Sequence, residues 1–140
     1  MAERRARRRL TAWLMAAVLG AASVLTSVTP AHAATCELTF KANYWGMVNG
    51  QYRWQVDAEF DNTGTTPSTN WWAIIAFAYS QGAVVHQYWN VTRPTTYQWN
   101  PASWNKVIPV GQSARFGFAI LVPNTSVSPL PTAVGCTITY

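Results

Sequence analysis

The stretch Arg53-Trp54-Gln55-Val56-Asp57-Ala58-Glu59-Phe60-Asp61, followed by Asn62-Thr63-Gly64, decides the fold. In an extended chain Trp54, Val56, Ala58 and Phe60 share one side, and Arg53, Gln55, Asp57, Glu59 and Asp61 share the other. A two-residue period of this kind marks a strand with one face in a core and one in water. The same period recurs in Cys36, Leu38, Phe40 and Ala42, in Ala114, Phe116, Phe118, Ile120 and Val122, and in Cys136, Ile138 and Tyr140. The run from Trp72 to Tyr79 is apolar on both faces, as in a central strand. Turn signals separate these runs: Asn62-Thr63-Gly64, Ser80-Gln81-Gly82, Pro109-Val110-Gly111 and the Pro/Ser-rich segment 123–131. No helical period follows residue 33. The pattern predicts an all-β chain, an antiparallel β-sandwich closed by pairing of its terminal strands beside a disulfide.

Of the 140 residues, 49% are apolar and 11% charged, a balance that argues against disorder. The formal charge of +5 suggests nucleic acid until the cations are located. Arg4, Arg5, Arg7, Arg8 and Arg9 all lie in the first nine residues. From Ala34 onward Lys41, Arg53, Arg93, Lys106 and Arg115 face Glu37, Asp57, Glu59 and Asp61, leaving a body of charge +1. Nucleic-acid and polybasic membrane readings lose their support. The arginine run, the apolar stretch from Leu10 to Val28 and the small-x-small Ala31-His32-Ala33 read as a secretory signal over residues 1–33. Its removal leaves a single module over 34–140, secreted and with no membrane anchor. In an oxidising compartment Cys36 and Cys136 are most simply a disulfide. Two cysteines so far apart with one remaining His make a poor metal site, and no cofactor is expected.

Beyond Trp13, the chain carries Trp45, Trp54, Trp71, Trp72, Trp89, Trp99 and Trp104. A small sandwich has room for only a few in its core, and by their place in the alternation Trp54 and Trp72 are expected there. Trp45 sits near Asn43 and Asn49, Trp89 between Gln87 and Asn90, and Trp104 between Ser103 and Asn105. A flat indole stacks on the C–H face of a sugar ring while neighbouring amides bond the hydroxyls. These residues therefore point to a carbohydrate surface.

At this point the chain resembles the family 2 carbohydrate-binding modules, bacterial β-sandwiches that bind cellulose or xylan. The match covers nearly all of 34–140. It rests on Cys36 and Cys136, the spacing of Trp45, Val56 through Gly64, Asn70-Trp71-Trp72, and Trp104-Asn105-Lys106-Val107-Ile108-Pro109-Val110-Gly111 continuing to Phe116-Gly117-Phe118. The resemblance implies that Trp45, Trp89 and Trp104 form the family's flat binding face. It also implies that Asn43 and Gln87 are polar positions beside it, and that Trp72 is a buried core residue. Retention of three tryptophans favours cellulose, with xylan and chitin as alternatives. The chain departs from the family in three ways. Arg53-Trp54 replaces a Gly-Phe pair, behind an insertion in a loop from Gly46 to Tyr52. Asp57, Arg115 and Ala119 stand where cellulose binders commonly carry amides. The stretch between Trp89 and Trp104 is shorter than usual.

Three rival readings use the same residues. Asp57, Glu59 and Asp61 have the spacing of a glycosidase pair on paper, but three carboxylates on a polar strand face point to solvent. Cleavage before His32 would expose a copper-binding N-terminus with His86 as a partner, whereas cleavage after Ala33 removes that His. An adhesin or inhibitor sandwich would use the aromatics against a secreted protein partner. The expectation is a non-enzyme: a module without an attached catalytic domain, acting through binding alone on an insoluble polysaccharide.

Overall fold

Val56, Ala58 and Phe60 are buried while Asp57, Glu59 and Asp61 stay partly exposed in the computed structural model, which describes residues 35–140. The decisive stretch is the inner part of a long hairpin: β1 (Cys36–Val48) pairs antiparallel with β2 (Gln51–Asn62). The chain continues through β3 (Asn70–Ala76), a 3-10 turn (Tyr79–Gln81), β4 (Val84–Trp89) and β5 (Val91–Thr92). It ends with β6 (Gln98–Pro101), β7 (Ser113–Val122) and β8 (Ala133–Thr139). Two four-stranded sheets result, in the orders β1-β2-β7-β4 and β5-β6-β3-β8. The expected antiparallel sandwich is therefore present.

Phe60 and Phe116 from the first sheet meet Trp71 from the second, with ring centroids 4.5 and 5.6 Å away. Phe118 meets Trp99 at 4.7 Å. Trp71 and Trp99 are the largest fully buried side chains, and each indole N–H finds a carbonyl. Trp71 donates to Asn105 at 2.8 Å and Trp99 to Ile75 at 3.3 Å. Burial of an indole is favourable only when that donor is satisfied. Truncating either side chain would remove about 3–5 kcal/mol.

Four expectations need correction or refinement. Trp72 is not the core residue of its pair. β3 places Trp71, Ala73 and Ile75 inward, so Trp72 and Ile74 face water. Trp54 does face inward, but it stands half-buried near the end of the sandwich, with Tyr44 5.3 Å away. The terminal strands do not pair with each other: β1 lies beside β2 in one sheet and β8 beside β3 in the other. The disulfide joins them instead as a staple between sheets, with Cys36 and Cys136 Cα atoms 6.2 Å apart across a separation of 100 residues. Finally, residues 46–52 are no loop. Both strands extend through them to the two-residue turn Asn49-Gly50, whose φ values of +49° and +79° fit a tight hairpin that matches the strand twist. The leader expected over residues 1–33, His32 included, lies outside the described residues.

Candidate functional site

Reading outward from the core, every second residue of β1, β2, β7 and β4 lies on the outer side of the first sheet, where Ala119 and Leu121 of β7 are themselves buried. Two irregularities lie beside its aromatics. In β1 the register slips between Tyr44 and Gly46, so Trp45 is an extra residue without a cross-strand partner. Gly46, at φ +104°, takes the backbone conformation that lets the strand resume. Trp45 continues the outward series of Lys41 and Asn43 and is 58% exposed. In β4 a second slip falls between Val85 and Gln87. His86 absorbs it, and Gln87 and Trp89 both come to face outward, opposite Ala119 and Gly117.

The absence of a side chain at Gly117 seats Trp89. A Cβ there would lie 2.6 Å from Cε2 and 2.8 Å from Nε1 of the indole, so the ring rests directly on the β7 backbone. Between Trp45 and Trp89 runs Arg53, a residue that sequence reading did not assign to the site. Its guanidinium sits 5.2 Å from the Trp45 ring centroid and donates to Gln87 Oε1 at 3.2 Å. Cation–π attraction and this hydrogen bond hold a bridge across the sheet from β1 to β4. Arg53 and Asp57 are four residues apart on β2 and mark the levels of Trp45 and Trp89, so the two indoles are offset by about 13 Å along the strands.

Trp104 lies outside the sheet, on a segment tied to the residue after Trp89. It is 73% exposed, on the segment after β6. Its neighbour Asn105 is held twice: the backbone carbonyl accepts from buried Trp71, and the side-chain Nδ2 donates to the Asn90 carbonyl at 2.7 Å. Asn90 takes a left-handed φ of +61° as the chain leaves Trp89 for the other sheet, a conformation Asn tolerates better than most residues. Farther along, Ser68 Oγ donates to the Lys106 carbonyl at 2.9 Å and accepts from the Ile108 N–H at 2.7 Å. A largely exposed indole is thus carried on backbone fixed from the core. Asn105 serves as a latch rather than a free amide, since its Oδ1 is buried and unpartnered.

Asn43 is exposed on the outer side of β1, opposite Gln55. Beside Trp89 lies an open depression of about 520 Å³ lined by Thr39, Lys41, Asp57, Glu59 and Arg115 among others. Glu59 pairs with Arg115 at 3.2 Å, Asp57 accepts from Gln55 Nε2 at 2.9 Å, and Asp61 accepts from Ser113 Oγ. Each of the three carboxylates is thus engaged by a neighbour on the same surface. Among the described residues no group of three or more His, Cys, Asp or Glu could hold a metal ion. No helix there is long and apolar enough to cross a membrane.

A stapled β-sandwich that leaves indoles exposed beside polar side chains has the form of a carbohydrate-binding module. The model of the cellulose binding domain family matches residues 34–138, and the chain belongs to that family of non-catalytic polysaccharide-binding modules. The chain is also similar to solved structures. The cellulose-binding family 2 domain from ScLPMO10C aligns with TM-score 0.50 and 23% identity over 76% of this chain and 99% of that one. ChBD2 from Thermococcus kodakarensis aligns with TM-score 0.49 and 21% identity, over 72% and 86%. The chitin-binding domain of Chi18aC from Streptomyces coelicolor gives TM-score 0.46 and 20% identity, over 74% and 92%. No curated protein matches the sequence.

Proposed function

We propose that the row Trp45, Trp89 and Trp104 is the surface on which this module binds an insoluble polysaccharide, cellulose first and chitin or xylan as alternatives. The reading rests above all on Trp104, an indole left almost wholly in water while its backbone is anchored to the core. A rigid exposed aromatic loses little conformational freedom when a sugar ring stacks on it. If each indole face buries roughly 70 Å² at ~25 cal/mol/Å², the row contributes about 5 kcal/mol, and the C–H faces of the sugar add a similar amount. After at least ~4 kcal/mol for association, about −6 kcal/mol remains, a Kd in the tens of micromolar. Asn43, Gln87 and Arg53 supply polar partners along the row. Asp57 and Arg115, standing where the family commonly carries amides, offer charge-assisted hydrogen bonds to hydroxyls beside Trp89.

The compartment follows the staple: a disulfide across the sheets persists outside the reducing cytosol, so residues 1–33 act as the export signal and the module works extracellularly. The test is depletion of the purified protein from solution by crystalline cellulose, with insoluble chitin and xylan in parallel and reducing ends counted in the supernatant. Binding to cellulose without sugar release is the expected result. Retention by none of the three would overturn the assignment, and sugar release would overturn its non-catalytic half.

A further inference from the structure

The outer surface of the second sheet is unused by the row just described, and its composition is unusual. None of the residues of β3, β5, β6 or β8 is charged. In the middle of this face stands Trp72, opposite Thr137 of β8 and half-buried, as Trp89 is on the other side. The core already holds Trp71 and Trp99, so Trp72 is not needed to fill it. Ile74, one step along the same face, is also exposed. Beside them on β6, Gln98 Nε2 donates to Asn100 Oδ1 at 3.1 Å. That bond orients both amides and leaves Gln98 Oε1 and Asn100 Nδ2 without a protein partner among the described residues. The face therefore offers an indole for C–H surface, an outward acceptor, an outward donor and the Thr137 hydroxyl.

We propose that this face is a second polysaccharide-binding surface, with Trp72 as its stacking platform and Gln98 and Asn100 as its hydroxyl partners, so that one module bridges two polysaccharide chains. A neutral face suits a neutral sugar polymer, whose hydroxyls are satisfied by amides and which offers no charge to pair. A protein partner is met by charged groups and arginine, whereas the strands of this face carry none and Arg93 at its edge is engaged by Tyr79, Thr96 and the Trp99 ring. The two surfaces lie on opposite sides of the sandwich, so a single chain cannot lie flat along both. One aromatic makes a weak site, and its effect appears through bridging: a module already held by its first face meets a second fibril at high effective concentration.

The experiment uses cellulose nanocrystals, with chitin nanocrystals in parallel, and two readouts: depletion for binding and turbidity with sedimentation for clustering. The wild type is expected to cluster the crystals. Trp72→Ala should still be depleted but should need at least about tenfold more protein to cluster them. The double variant Gln98→Ala/Asn100→Ala, which keeps the indole, should be impaired in the same direction, and Trp72→Tyr should recover part of the effect. The triple variant Trp45→Ala/Trp89→Ala/Trp104→Ala should keep a weak residual binding that Trp72→Ala then removes. Melting curves establish that each variant is folded.

Clustering by Trp72→Ala at wild-type concentrations overturns the proposal, as does a triple variant with no residual binding; the second result leaves the first face intact. Complete loss of binding in Trp72→Ala alone, with the triple variant unaffected, keeps this face and removes the first. No binding by the wild type removes both. If sedimentation velocity shows a wild-type dimer that Trp72→Ala converts to monomer, the face is a self-association surface and the proposal fails.

Discussion

On the water side of β1-β2-β7-β4 stand Glu37, Lys41, Arg53, Asp57, Glu59, Asp61 and Arg115, whereas the water side of β5-β6-β3-β8 carries Trp72, Ile74, amides and threonines and no charge at all. The same alternation builds both faces, so the secondary structure does not account for the difference. Its teaching is that the hydrophilic half of a β-strand pattern has two dialects. The first sheet sets opposite charges in register, Lys41 across from Asp57 and Glu59 ion-paired with Arg115, on the face that carries Trp45 and Trp89. The second relies on neutral groups that hydrogen-bond without an ionic partner.

The comparison breaks first at the staple holding the faces back to back. Replacing Cys36 and Cys136 with Ser releases a constraint worth up to about 4.7 kcal/mol in the chain-entropy model. The expected outcome is a drop of several kcal/mol in unfolding free energy by urea titration, with glycan binding retained at low denaturant. Smaller, and confined to the first face, are the single substitutions Trp104→Ala and Trp89→Ala. Each should weaken cellulose binding about tenfold or more. Trp104→Ala should leave the melting temperature almost unchanged, because that indole touches little. Trp89→Ala should lower it modestly, because that indole covers Gly117.

Gly117→Ala sharpens the point without removing any aromatic. The new methyl group occupies the seat of Trp89, so the indole must tip away, and affinity should fall several-fold while tryptophan content is conserved. Unchanged affinity would mean that the flat pose of Trp89 is irrelevant to binding. Least of all should matter Glu59→Gln, which removes the exposed pair with Arg115: exposed pairs contribute about 0–1 kcal/mol, so the expected loss of stability is small and fades in salt.

Much of this architecture was legible in the sequence, and the failures have physical causes. The strict alternation of 53–61 placed β2 and its inner face without ambiguity. The pair Trp71-Trp72 could not be read that way. It opens a run that is apolar at both parities, so nothing local says which indole points inward. The answer comes from across the sheet, where Ala73 pairs with Trp99 and with Cys136. Trp99 itself was disguised by its neighbours. Gln98 and Asn100 give it the amide-flanked look of an exposed tryptophan, yet that is also what alternation looks like on a half-buried strand.

The candidate row was legible as residue types but not as geometry. The slip at His86 shifts the parity of β4 by one and turns Trp89 outward, and no pattern in the sequence marks it. Arg53 was read as an outward strand position and as a departure from the family's Gly-Phe pair, not as part of the site. Its bridging role depends on Gln87, thirty-four positions away and reachable only through the sheet. Asn105 went the other way: an amide beside an indole looks like a sugar ligand, and the fold uses it to hold the backbone under Trp104.

Tyr140 ends the described chain with its hydroxyl within 3.1 Å of Asn62 Oδ1 and 3.3 Å of the Thr35 carbonyl, and its ring lies over Gly64, where a side chain would collide with it. Residues 35 and 140 are therefore neighbours, and the module is close to a closed ring of polypeptide. A short linker could join these points and the ring could be opened instead at the exposed segment 124–126, giving a circular permutant with the same two sheets. For anyone fastening the module to a bead or a sensor, attachment at either of these points emerges from the same corner of the sandwich, leaving both sheet surfaces free.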